Sequence, residues 1–163
     1  MDYEPRITKS IFLSAVQCPT LAWYEARKEP ESLTAGEQLR IKEGKEIGQR
    51  VRALFQGGLL IDERDFSSAI AATQRLIQGE APVALFEPAF LTAPMVARAD
   101  VLVRDGAANF RLYEVKSSLH KDGEVKADHI DDLAYTAMVW RRSGVEGISA
   151  ELIRVAPSYR PGL

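Results

Sequence analysis

Cysteine is nearly missing from this chain: Cys18 stands alone among 163 residues. One thiol closes no intramolecular disulfide and builds no Cys-only zinc or iron–sulfur site, so no iron–sulfur cluster is expected from this chain alone. Long apolar runs are also missing. No stretch approaches the ~20 residues of a membrane span, and no membrane association is expected. The opening MDYEPRITKS is polar, without the apolar centre of a secretory signal. A surplus of basic charge is missing too: 21 Lys and Arg face 23 Asp and Glu, for a net charge of −2. Overall charge therefore does not mark a nucleic-acid binder, although a local grip on phosphate needs no global excess. Internal repeats and low-complexity segments are absent. What is present is 46% hydrophobic and 27% charged residues, the balance of an ordinary folded domain with a core. The expectation is one cytoplasmic domain over residues 1–163.

The first third reads as helices. TKSIFLSAVQ offers Thr8 or Ser10 as an N-cap, Pro19 interrupts at Cys18, and TLAWYEARKE resumes until Pro30. TAGEQLRIKEGKEIGQRVRALFQGG predicts the longest helix, with Thr34 and Glu37 as a capping box. Leu39, Ile47, Val51 and Leu54 recur at helical spacing and predict a buried stripe. Gly44 and Gly48, four apart, predict close approach of another backbone. Gly57 and Gly58 end the helix. After LLI, Asp65 caps FSSAIAATQRLIQ, which Gly79 stops.

The period then changes. PVALFEPAF predicts a strand, with Pro88 marking an edge or bulge. MVARADVLVRDG predicts a strand ending in an Asp-Gly turn, and NFRLYEVKSS its partner. KADHIDDLAYTAMVWRRSG predicts a helix with Ile130, Ala134 and Met138 on one side, ended by Gly144. ISAELIRVA predicts a last strand. The fold class is α/β: a central mixed sheet flanked by helices, with a helical N-terminal part over about 8–79 and a core over about 82–157. The closing PSYRPGL does not read as a natural end, and a truncated or short member of a longer family is expected.

Charge on these strands is the feature that calls for a function. Residues two apart on a strand share a face, so EVK sets the Glu114 carboxylate beside the Lys116 ammonium, with Val115 on the other side. Pairing through the turn at Asp105 and Gly106 brings Asp100 near Glu114. Two carboxylates at that distance repel unless a cation lies between them. Mg²⁺ or Mn²⁺ prefers such hard oxygen donors, and the Val115 carbonyl can add another. A lysine beside the ion can orient water and offset the charge that grows on a phosphodiester during hydrolysis. The alternative for Glu114 and Lys116 is a cross-strand salt bridge on a solvated face.

An Asp on one strand, Glu-x-Lys on the next and a helix after them resembles the PD-(D/E)XK nuclease superfamily. SAVQCPTLAW, EGKEIGQRVRALFQGG, LFEPAF, ARADVLVR and LYEVKSS follow one another in the manner of RecB-like and CRISPR-associated exonuclease-type members, within an uncharacterised bacterial branch. The resemblance runs from about residue 11 to 159. It implies a restriction-endonuclease-like core, with Asp100 and Glu114 as metal ligands, the Val115 carbonyl as a third, Lys116 as the catalytic lysine and Glu87 as an additional acid. It implies Mg²⁺- or Mn²⁺-dependent DNA cleavage in repair, recombination or processing of foreign DNA.

The chain also departs from that pattern. Such members often carry a glutamine, or a glutamine and tyrosine, on the following helix, where this chain has Tyr135 and, in the glutamine's place, Thr136. Iron–sulfur members add three cysteines after the last strand. Here Cys18, at the first cysteine position, is expected to be a small core residue. Where some relatives place a histidine on the long helix, this chain offers Glu46 or Gln49. His120 and His129 lack partners at metal spacing and read as surface or loop residues. Lys121, Lys126, Arg141 and Arg142 are candidate phosphate contacts, and Trp23, Tyr24 and Trp140 candidate base-stacking residues, although solvated charge and core packing account for them better. The alternative function is a catalytically weak nuclease-fold module that binds nucleic acid or a partner protein.

Overall fold

A computed structural model describes residues 6–29, 32–79, 83–106, 109–117, 125–145 and 147–156. Among the described residues five helices and seven strands follow one another as α1 (Lys9–Gln17), α2 (Pro19–Glu25), α3 (Ala35–Ala53), β1 (Leu59–Leu60), α4 (Phe66–Gln78), β2 (Ala84–Phe86), β3 (Ala89–Thr92), β4 (Met95–Arg98), β5 (Val101–Arg104), β6 (Phe110–Lys116), α5 (Ala127–Arg142) and β7 (Ile148–Arg154). The main sheet has five strands in the order β1-β2-β5-β6-β7. Its outer pairs are parallel and its inner pairs antiparallel, so the sheet is mixed. β3 and β4 form a separate antiparallel hairpin.

The helix starts follow their caps. The Thr8 hydroxyl accepts from the Ile11 N–H, and Asp65 accepts from Ser68. Thr34 and Glu37 cap α3 reciprocally, satisfying amides that the first turn leaves without partners.

Alternation along β6 sorts the core into two layers. Phe110 and Leu112 join Leu85, Leu102 and the α5 residues Tyr135, Val139 and Trp140. Tyr113 and Val115 face the other way, with Phe86, Val101, Ile47, Val51 and Phe55. A smaller cluster joins Ile61 and α4 to Ala89. The helical N-terminal part and the strand-rich part therefore interleave, because β1 edges the main sheet and α1 lies against α5.

Several expectations are corrected. PVALFEPAF is not one strand: it breaks at Glu87, whose φ is +58°, and Pro88 carries the chain out of the main sheet into the hairpin. MVARADVLVRDG is likewise two strands, separated at Ala99 and Asp100. The predicted apolar face of α5 is rotated. Ile130 and Ala134 are exposed, and the buried residues are Asp132, Tyr135, Thr136, Val139 and Trp140.

The stripe on α3 is only partly buried, with Leu39 56% and Leu54 72% exposed. Helical periodicity marks a face, but the sheet is reached only through Ile47 and Val51. Among the described residues no backbone approaches Gly44 or Gly48; both border the cleft. Cys18 is exposed rather than core. It is the N-cap of α2, where the nearby Leu21 and Thr20 amides lower its thiol pKa.

Candidate active site

The register of the main sheet sets the site. Antiparallel pairing joins Val101 to Tyr113, and one step further Asp100 lies opposite Glu114. The Val115 N–H donates to Asp100 Oδ2 at 2.6 Å, fixing that carboxylate across the strand gap. Burial first, and the neighbouring Glu114 second, push the Asp100 carboxyl up to about 6.

Both carboxylates border a cleft of about 520 Å³, with Glu87, Val115 and Ser117 beside them. The opposite wall is α3, presenting Gly44, Gly48, Lys45, Gln49 and Arg52. Glu87 has a left-handed backbone, a conformation that is rare outside glycine. Its N–H bonds to the Asp100 carbonyl at 3.1 Å, and its carboxylate pairs with Arg52 at 3.0 Å. The corner between β2 and β3 thus carries an acid to the cleft and supplies it with its own cation.

Glu114 is only 4% exposed, so the ion pairs of the salt-bridge alternative form, but not on a solvated face. Its Oε1 lies 3.0 Å from Lys116 Nζ and its Oε2 3.0 Å from Lys9 Nζ. Lys9 also lies 2.9 Å from Asp132 Oδ1, and Lys116 hydrogen-bonds to Asp132 Oδ2. Two carboxylates and two ammonium groups thus alternate in a closed ring. An uncompensated charge at such depth costs about 3–5 kcal/mol when its partner is removed; the ring leaves none uncompensated.

Lys9 and Asp132 were not singled out in the sequence. Lys9 is 105 residues from Glu114, and no spacing rule reaches that far. Asp132 did carry a signal, since it falls on the same helix face as Tyr135, Thr136 and Val139, but the face was misplaced by one position.

The other candidates separate. Tyr135 directs its hydroxyl at the carbonyls of Ile7, at 2.6 Å, and Val96, at 3.0 Å; burial pushes its pKa up to about 12. It ties the segment carrying Lys9 to the hairpin. Thr136 is fully buried and its hydroxyl donates to the Asp132 carbonyl at 3.2 Å. Gln49 lines the cleft, whereas Glu46 pairs with Arg50 at the surface.

Arg141 and Arg142 are exposed in the last turn of α5, about 14 Å along the helix from Asp132 at 1.5 Å per residue. Lys126 is exposed at the N-cap of α5. Trp140 is buried in the core against Phe90 and Phe110, so it stacks no base. Trp23 and Tyr24 are exposed. His129 is half-buried in the first turn of α5; His120 and Lys121 lie outside the described residues.

Asp100 and Glu114 fit a hard divalent ion by chemistry: both offer oxygen, and a cation between them would relieve their repulsion. The Val115 carbonyl is the adjoining backbone oxygen. Among the described residues no three acidic, histidine or cysteine side chains form a ready cluster. Two carboxylates still suit Mg²⁺, which keeps much of its water. No helix among the described residues is long and apolar enough to cross a membrane. No protein-family model, curated protein or solved structure matches this chain, so the site is read from its own geometry.

Proposed function

We propose that this chain is a metal-dependent nuclease of restriction-endonuclease-like type that hydrolyses DNA phosphodiester bonds in the cytoplasm, in the manner of the RecB-like exonucleases. The observation that carries the reading is the cross-strand placement of Asp100 opposite Glu114 on one cleft, with Lys116 bonded to Glu114. Asp100, Glu114 and the Val115 carbonyl would hold Mg²⁺ or Mn²⁺. Such an ion supplies Lewis-acid polarisation of the phosphoryl group and acidifies water.

The remaining chemistry belongs to the chain. The Val115 N–H keeps Asp100 aimed. Asp132 and Glu114 hold the Lys116 ammonium; released from one of them, it would donate toward the attacking water and the developing phosphoryl charge. Arg52 balances Glu87 and keeps that acid from adding charge where phosphate enters. Gly44 and Gly48 leave gaps in the α3 wall between the side chains of Lys45, Gln49 and Arg52.

The test is incubation of end-labelled single- and double-stranded DNA with Mn²⁺, beside an EDTA control. Metal-dependent cutting supports the reading. No cutting by folded protein at any Mn²⁺ concentration overturns it.

One observation favours a second reading, a nuclease-fold module that binds without turnover. Lys116 is held by Glu114 and Asp132 and does not line the cleft, and Thr136 is buried on the Asp132 carbonyl. Salt-sensitive DNA binding without cleavage would identify that module.

A further inference from the structure

We infer that Lys9 is an internal counter-cation that occupies Glu114 and must move aside when a divalent ion binds, so that α1 sets the metal affinity of the site. The inference rests on the nuclease reading above and adds regulation of the same site.

Glu114 has two oxygens, and they are taken unequally. Oε1 is held by Lys116, its neighbour on β6, and Oε2 by Lys9, which arrives from α1. An ion shared between Asp100 and Glu114 needs one of them. Both lysines also touch Asp132, but Lys116 shares β6 with Glu114, whereas Lys9 arrives from another element and is the one whose charge also acts on Asp100, the other ligand. Its ammonium already lies 2.9 Å from Asp132 Oδ1. It can therefore release Oε2 and remain paired, and no buried charge is stranded.

The surroundings hold Lys9 in this double contact. Ile7 bonds to Pro94 at 2.9 Å and receives Val96 at 3.0 Å, the Tyr135 hydroxyl reaches the Ile7 carbonyl, and Phe12 packs on the Tyr135 ring at 4.7 Å. The segment is fastened on both sides of Lys9, so the ammonium is delivered to the carboxylates by design of the fold rather than by surface drift. Like charges repel at this range even through a partly screened interior. An ammonium bonded to a ligand oxygen thus opposes the incoming ion until it shifts to Asp132.

The test measures Mn²⁺ binding directly, from the free-ion paramagnetic resonance signal, for wild type, Lys9→Gln, Lys9→Arg, Lys42→Gln and Asp100→Asn. Lys9→Gln keeps a hydrogen-bond donor and removes the charge; Lys42 is an exposed α3 residue that controls for net charge. The expected result is at least threefold tighter binding by Lys9→Gln, with Lys9→Arg and Lys42→Gln unchanged and Asp100→Asn greatly weakened. Equal or weaker binding by folded Lys9→Gln overturns the role of Lys9 and leaves the nuclease reading standing. Absence of Asp100-dependent binding in wild type overturns both.

A second measurement needs no variant. Amine-reactive labelling of wild type, read at the Lys9 peptide, is expected to rise at least twofold when Mg²⁺ is added. Unchanged labelling at saturating metal overturns the displacement.

Discussion

Asp100 is a carboxylate pressed by burial and by Glu114. Its folded-state pKa lies above the ordinary value, so the fold favours the protonated form. That contribution is full below about pH 4 and is lost as pH rises through about 6. Asp100→Asn removes the titration while keeping an acceptor for the Val115 N–H. With EDTA present, urea denaturation should find this variant more stable than wild type by about 2 kcal/mol at pH 8, discounted for the open cleft. The two should coincide near pH 4, and a gain that is the same at both pH values would remove burial as its cause.

Asp132→Ala leaves the Lys116 and Lys9 ammonium groups sharing Glu114 alone and should cost about 3–5 kcal/mol in the same assay. At this scale the sequence was informative where residues are close along the chain. The two-residue spacing of Glu114 and Lys116, and the turn at Asp105 and Gly106, together predict a carboxylate pair across one ladder. Lys9 was hidden because only the packing of α1 against α5 brings it in.

At the scale of elements, the Thr73 side chain adds a hydrogen bond to the apolar contact between α4 and the hairpin. The buried Thr73 hydroxyl donates to the Ala69 carbonyl at 2.8 Å and accepts from the Ala89 N–H at 2.9 Å. Thr73→Val keeps the shape and orphans that N–H, which should cost about 1–3 kcal/mol by urea denaturation. Gly58 matters for space: a Cβ there would lie 2.5 Å from the Phe86 ring, itself 5% exposed. Gly58→Ala should cost about 1–3 kcal/mol through overpacking.

Helix starts were legible because Thr8, Thr34 and Asp65 declare themselves by local chemistry. Of the breaks in the strands, Pro88 flagged the first only as an edge or bulge, and the second, at Ala99 and Asp100, left no signal in its apolar run. What bends the chain is competition between the hairpin and the main sheet, a tertiary choice. Those breaks are also where Glu87 and Asp100 enter the cleft.

For the whole molecule, α5 is sunk into the core while α3 leans on the sheet near its C-terminal end. The first half of α3 overhangs the cleft with Leu39 and Ile41 exposed. Local opening follows sparse burial, so amide hydrogen exchange should be faster in α3 than in α5, and equal protection would mean that α3 is held more firmly than its packing implies. The α/β class and the flanking helices were legible from the change of period along the chain. That α3 stands off the sheet was not, since an amphipathic stripe looks the same over a core and over a cleft.

The most direct test of the nuclease reading is cleavage of end-labelled DNA in Mn²⁺ by wild type, Asp100→Asn and Lys116→Ala, each confirmed folded. Cutting by wild type and a loss of at least a hundredfold in both variants is the expected result. Cutting that survives either substitution, or none by wild type, would contradict the assignment of this cleft as a phosphodiesterase site.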